Sequence, residues 1–237
     1  MKRVTLTTML LERRSRPIRG VRIVTQESAP FGLQVIPTRR LSTADVLRIL
    51  ERLPTTKGPI VTSALNTIEQ EAFTEAGFVE RESLYLLRHN FSDAPRTTSD
   101  ARIRAARRTD LTTVISIDAQ SFDPFWTFDR VALSTARKAT PTHRYAVACI
   151  DRRVVGYVVV GLAGAASFLQ RLAVHPDLRG RGVGSHLVCD SIEWARQRSS
   201  THMMVNTQMS NGGAFALYQR LGFSVDTDRL KVLEWRR

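Results

Sequence analysis

The second half of the chain alternates between two hydrophobic periods, and the switches between them predict its elements. Arg102 to Ala106 alternates weakly, as a short strand does. Thr109 or Asp110 can cap a helix whose apolar residues Leu111, Val114, Ile115 and Ile117 recur at helical spacing. Ser121 to Trp126 breaks that helix, and a second is expected from Asp129 to Lys138. Tyr145 to Ile150 reads as a strand that turns tightly through Asp151, Arg152 and Arg153 into a return strand, Val154 to Leu162. Ser167 to Val174 is another strand, ended by His175 and Pro176. A helix follows from Gly184 to Arg198, with Leu187, Val188, Ile192 and Ala195 on its apolar stripe. Met203 to Thr207 is a strand, Gly213 to Leu221 a helix stopped by Gly222, and Phe223 to Trp235 supplies closing strands. The order β-α-α-β-β-β-α-β-α-β-β predicts a mixed α/β layer fold.

Before this half lies a polar stretch, Asn90 to Asp100, with a proline and no apolar period. It reads as a linker over 91–100, dividing a first part, 1–90, from a second, 101–237. In the first part Leu41 to Leu53 and Glu69 to Ala76 have the character of helices, and Pro59 to Thr62 that of a strand.

Composition narrows the class. With 237 residues and 43% apolar side chains, the chain is an ordinary globular one that can bury a core. No apolar run approaches the roughly 18 residues that span a bilayer. The short stretch Met9 to Leu11 is cut off by Glu12, Arg13 and Arg14, unlike a signal peptide, so a cytoplasmic location is expected. Cys149 and Cys189 sit in apolar segments without metal-like spacing, which reads as buried free thiols. The net charge of +13 calls for an anionic partner: nucleic acid, a membrane surface, or a polyphosphorylated cofactor. The basic residues are scattered, with denser groups at Arg13 to Arg16, Arg39 and Arg40, and Arg102 to Arg108. Charge alone therefore does not select nucleic acid.

The run Arg179-Gly180-Arg181-Gly182-Val183-Gly184 joins a strand to a helix. Glycines there let backbone N–H groups converge, and the helix N-terminus carries partial positive charge, so the turn can hold a pyrophosphate. Its spacing is neither that of a nicotinamide-binding fingerprint nor that of a Walker loop. With its flank from Leu172, the run resembles the acetyl-CoA motif of the GNAT superfamily: an apolar strand, V-x-P, then R/Q-x-x-G-x-G/A. A second stretch, Asn211 to Phe223, resembles that family's N-x-x-A-x-x-L-Y-x-x-x-G-F element.

The resemblance implies a GNAT fold over 101–237, with a central mixed, mostly antiparallel sheet flanked by helices. It implies an acetyl-CoA-dependent N-acetyltransferase with no metal. Leu172, Ala173 and Val174 would run beside the pantetheine arm. Arg179, Gly180, Arg181, Gly182, Val183, Gly184 and Ser185 would hold the pyrophosphate. Asn211 would bond the pantetheine or cap its helix, and Tyr218 would protonate the leaving thiolate. Transfer would be direct, so neither cysteine is assigned as a nucleophile.

A general base is harder to place. Ribosomal-protein N-acetyltransferases of this superfamily carry a Glu where this chain has Asn206, and other members carry one on the strand that here holds Ser167, Gln170 and Arg171. Asp123, a water held by Asn206 or Gln170, or no base at all are the remaining choices. The segment Ile117 to Trp126 resembles the I-E-x-x-x-F-x-x-x-W loop of protein N-terminal acetyltransferases, with Asp118 in place of Glu. Phe122, Phe125 and Trp126 would then line the acceptor site, or form aromatic core beneath the loop.

A shift of 145 positions lays Asn66 to Phe78 against Asn211 to Phe223, with Asn, Gly and Phe coinciding and Phe73 at the position of Tyr218. No glycine turn precedes this copy. The first part is expected to be a degenerate, half-GNAT-like α/β domain that shapes the acceptor side. The acceptor itself is expected to be a protein N-terminus or lysine, slightly ahead of a small-molecule amine. The alternative is an acyl-CoA-binding or nucleic-acid-associated module without turnover. No motif fixes the acyl chain length or the oligomeric state.

Overall fold

A computed structural model of the chain describes residues 18–24, 31–56, 58–92, 97 and 99–236. The basic group at Arg13 to Arg16, the stretch Met9 to Leu11 and half of the central linker fall outside them. Ten strands and six helices are present among the described residues. The first part holds β1 (Val21–Val24), β2 (Leu33–Pro37), α1 (Thr43–Arg52), β3 (Ile60–Thr62), α2 (Thr67–Glu75) and β4 (Val79–His89). The second holds β5 (Arg102–Ala105), α3 (Leu111–Ser121), α4 (Arg130–Lys138), β6 (Thr142–Ile150), β7 (Arg153–Ala163) and β8 (Ala166–Val174). It ends with α5 (Val183–Arg196), β9 (His202–Gln208), α6 (Gly212–Arg220) and β10 (Ser224–Trp235).

Every predicted helix and strand of the second half has a counterpart, with two differences. Phe223 to Trp235 forms one long strand, because register shifts after Val225 and after Val232 absorb its irregular pattern without breaking it. Asp110 does not cap α3 with its side chain; it accepts from Arg107 N–H at 2.7 Å and pairs with Arg104 in the turn before the helix. The hairpin after β6 is a two-residue turn, Asp151 and Arg152, both with positive φ, which matches the twist of the flanking strands.

All ten strands form one sheet in the order β1-β2-β3-β10-β4-β9-β8-β7-β6-β5. Only β2 with β3 and β8 with β9 pair in parallel. Strand β7 is buried on both faces, as its unbroken apolar run requires. Tyr157 and Val159 face α3 and α4, whose Val114, Ile117, Leu133 and Ala136 complete that core. Val158 and Val160 face α5 and α6, with Leu187, Val188, Ile192 and Tyr218. A third cluster packs α1 and α2 on the first strands through Ile49, Phe73 and Phe78. Each fully buried side chain of this size is worth about 1.5–3 kcal/mol. Cys149 and Cys189 form no disulfide, and are half-buried rather than buried.

The break at 91–100 interrupts the chain but not the sheet. Strand β10, from the second part, runs antiparallel between β3 and β4 of the first, and β4 lies against β9 of the second. The two units β3-α2-β4 and β9-α6-β10 have thus exchanged their last strands. Their local chemistry matches at the 145-residue offset. Asn66 and Asn211 both cap, accepting from the N–H three residues on at 3.0 Å. Gly77 and Gly222 both have positive φ, at 90° and 86°. The N–H groups of Phe78 and Phe223 reach back to the carbonyls of Phe73 and Tyr218, each at 3.0 Å.

Candidate active site

The site begins where two parallel strands part. Strands β8 and β9 pair only at Ala166–Phe168 against His202–Met204, then diverge. The cleft between them, about 520 Å³, is walled by Leu169 to Val174 on one side and Val205 to Gln208 on the other. An extended ligand there can meet strand backbone that no neighbouring strand covers.

The turn between β8 and α5 closes one end. Gly180 and Gly182 adopt φ of 78° and 75°, which L side chains rarely reach. A methyl group added at Gly180 would meet nothing within 4 Å, so the turn opens outward. Among the described residues helix α5 has no side-chain cap, whereas Ser42, Asn66, Asp129 and Asn211 cap α1, α2, α4 and α6. Its first N–H groups are therefore open to an anion at the positive end of the helix. Both features fit the pyrophosphate of acetyl-CoA. Substituting Gly182 by Ala is expected to lower stability by about 1 kcal/mol through its αL backbone and to weaken CoA binding, checked by urea unfolding and titration calorimetry.

Most residues expected at the cofactor line this cleft: Leu172, Ala173, Val174, Arg179, Gly180 and Gly182, then Val183, Gly184, Ser185, Asn211 and Tyr218. Arg181 is the exception, exposed and outside the lining, because it lies between the two αL glycines. Tyr218 is only 4% exposed. Burial raises its phenol pKa well above the ordinary value, and the nearby Arg171 guanidinium pulls it partly back. Gln170 and Asn206 also reach the cleft. Gln170 sits at a register shift of β8, and its buried Oε1 has no hydrogen-bond partner among the described residues.

The loop between α3 and α4 enters from the opposite side of the sheet. Phe122 and Trp126 line the cleft and pack on the α3–α4 core. Phe125 does not join them. The Asp123 carboxylate accepts from the Phe125 N–H at 2.9 Å, and that turn sends Phe125 into the core, where it meets Phe31 edge-on at 5.3 Å. Phe125 packs in the core and lines a recess beside the cleft, so of the three aromatics Phe122 and Trp126 reach the cleft itself. Asp123 lies outside the cleft, in the same recess, whose lining includes Glu80, Arg81, Glu82, Phe125, Gln208 and Glu234.

Two residues that carry this geometry are missing from the sequence expectations for the site. Arg171, noted above only as standing where some relatives have Glu, is buried and forms a bidentate pair with Asp118, both bonds at 2.7 Å. It also donates to the Trp126 carbonyl at 2.7 Å and lies between the rings of Phe122 and Phe128. Glu82 of β4 accepts from the Trp126 indole N–H at 2.8 Å. The one signal for Arg171 was a lone charge in a mostly apolar strand; Glu82 gave none.

Comparison with known proteins agrees with this geometry. Residues 111–223 match the model of the acetyltransferase (GNAT) family. The chain is 25% identical over 122 residues, 52% of its own length and 80% of the relative's, to a putative [ribosomal protein bS18]-alanine N-acetyltransferase of Bacillus subtilis. It is 26% identical over 226 residues, 89% of its length and 96% of the relative's, to dTDP-fucosamine acetyltransferase of Escherichia coli O6:H1. A GCN5-related N-acetyltransferase from Kribbella flavida shares the fold, with a TM-score of 0.66, 14% identity, and coverage of 92% of this chain and 88% of that one. The chain carries a GNAT acetyltransferase domain, and the protein is an acyltransferase of the N-acetyltransferase kind. Among the described residues no helix is long and apolar enough to cross a membrane.

Proposed function

We propose that the protein transfers the acetyl group of acetyl-CoA to an acceptor amine that enters from the α3–α4 side, a protein N-terminus or lysine ahead of a small-molecule amine. The observation that carries this reading is the parting of β8 and β9 between an open pyrophosphate turn and the buried Tyr218. Leu172 to Val174 and Asn211 orient the donor, and the Gly180 to Ser185 turn with Arg179 holds its phosphates. The neutral amine attacks the thioester carbonyl, and the departing thiolate takes the Tyr218 proton. Gln170 and Asn206 are amides and accept no proton at neutral pH. They align a water through which the amine sheds its proton to solvent.

Charge supports the choice of acceptor. The recess beside Trp126 is lined by four carboxylates: Glu80 is paired with Lys231, Glu234 with Arg81 and Arg236, and Glu82 takes the Trp126 indole N–H, so acidic groups exceed cations by one, with Asp123 beside them. On a chain of net charge +13 this is a local reversal, and it suits a basic peptide. The long alignment with dTDP-fucosamine acetyltransferase favours a second reading, an amine on a nucleotide-linked sugar. The diphosphate of such an acceptor would meet those carboxylates unfavourably.

Thiol release from acetyl-CoA, followed with basic peptides, neutral amines and an amino-sugar nucleotide, separates the readings. The expected result is release fastest with the basic peptides and slower as salt rises. A preference for the sugar nucleotide would establish the second reading. Tight acetyl-CoA binding without release for any amine would leave a binding module.

A further inference from the structure

We infer that Glu82 is a positioning residue of the acceptor site: from the first part of the chain, its carboxylate holds the Trp126 indole as a wall of the cleft. This rests on the reading that the amine enters beside Phe122 and Trp126. Three contacts from the first part converge on the loop. Phe31 meets Phe125 at 5.3 Å, the Arg81 guanidinium stands 4.3 Å from the Phe125 ring, and Glu82 takes the indole N–H at 2.8 Å. The first two fix the loop in the core; only the third reaches a side chain that lines the cleft.

The strand exchange places Glu82 there. Leu84 of β4 lies opposite Gln208 of β9 and lines the cleft, and Glu82 is the next residue of the same face along β4. Trp126 and Gln208 border both the cleft and the carboxylate recess, so the indole is the partition between the two. An indole on a loop can rotate about two side-chain bonds. Arg171 fixes the Trp126 backbone from beneath, and the bond to Glu82 fixes the ring. The first part of the chain thereby completes the acceptor wall.

A hydrogen bond needs an acceptor, not a charge, which makes the test selective. Glu82→Ala should raise the KM of the best amine by about threefold to tenfold, the reach of one hydrogen bond, with kcat and the Kd of CoA little changed. Glu82→Gln keeps a carbonyl oxygen for the indole and should restore most of that loss. In a Trp126→Phe background, Glu82→Ala should add nothing. A second measurement needs no acceptor. The Trp126 indole N–H signal in a ¹H–¹⁵N spectrum, assigned by its loss in Trp126→Phe, should move in Glu82→Ala far more than in Glu82→Gln.

An unmoved indole signal in Glu82→Ala overturns the inference, as does an unchanged KM. Glu82→Gln as damaging as Glu82→Ala would overturn it too, because Glu82 would then act on the acceptor by charge. Absence of amine-dependent thiol release from the wild type is the failure of the acceptor reading instead. In that event the indole signal still decides whether Glu82 holds Trp126.

Discussion

Replacing Tyr218 by Phe is expected to lower kcat by about a hundredfold, within the usual size of general acid catalysis, while CoA binds as before. The change removes one oxygen from a side chain only 4% exposed and leaves its ring to pack on Phe223, 5.5 Å away. Stability is therefore expected to stay within about 1 kcal/mol, which separates chemistry from folding in a urea titration. The pH profile adds a second check. Burial, against the opposing pull of Arg171, keeps the phenol protonated beyond its ordinary pKa. An acid so held does not ionise below about pH 10, so Tyr218 contributes no alkaline fall in kcat up to that point. The stability linked to it is complete below pH 10 and is lost as pH rises toward the folded value, the sign expected when the folded state holds its proton more tightly. An alkaline fall in kcat near pH 8 that persists in Tyr218→Phe would assign the proton to another group.

What the sequence reveals of this site is what is local. The apolar stripe of α5, the glycine turn before it and the capped helix from Asn211 to the αL glycine Gly222 each occupy a short window with its own period or punctuation. Contacts between distant residues are not written that way. Arg171 and Asp118 lie 53 residues apart, and Glu82 and Trp126 lie 44 apart. The parting of β8 and β9 depends on how many residues pair, which no side-chain pattern states. Strands β1 and β2 are four and five residues long, and β2 is buried at four consecutive positions, so neither offers an alternation to detect. The loop aromatics Phe122, Phe125 and Trp126 have no period, and the turn at Asp123 decides which of them face the cleft. The 145-residue offset is visible as matching Asn, Gly and Phe, but the exchange of β4 and β10 appears only once the strands are paired.

Breaking the Arg171–Asp118 pair has the largest expected effect on folding. Asp118 is fully buried and takes four donors: two from Arg171, one from the Tyr157 hydroxyl and one from the Phe128 N–H at 2.6 Å. Arg171, 8% exposed, has both faces against aromatic rings. Substituting Arg171 by Met leaves a buried carboxylate without its cation, which is expected to cost about 3–5 kcal/mol in urea unfolding. It also frees the Trp126 carbonyl, so the acceptor KM rises in whatever enzyme remains folded. Asp118→Asn strands the guanidinium instead and should be comparably damaging. Both changes together remove the charge and keep one amide oxygen for the Phe128 N–H, so the pair is expected to be more stable than either single variant. Additive losses would mean that the two side chains work independently, through packing on the rings rather than through each other. Recovery of stability without recovery of KM would separate two roles of Arg171: neutralising Asp118 in the core and anchoring the loop that carries Trp126.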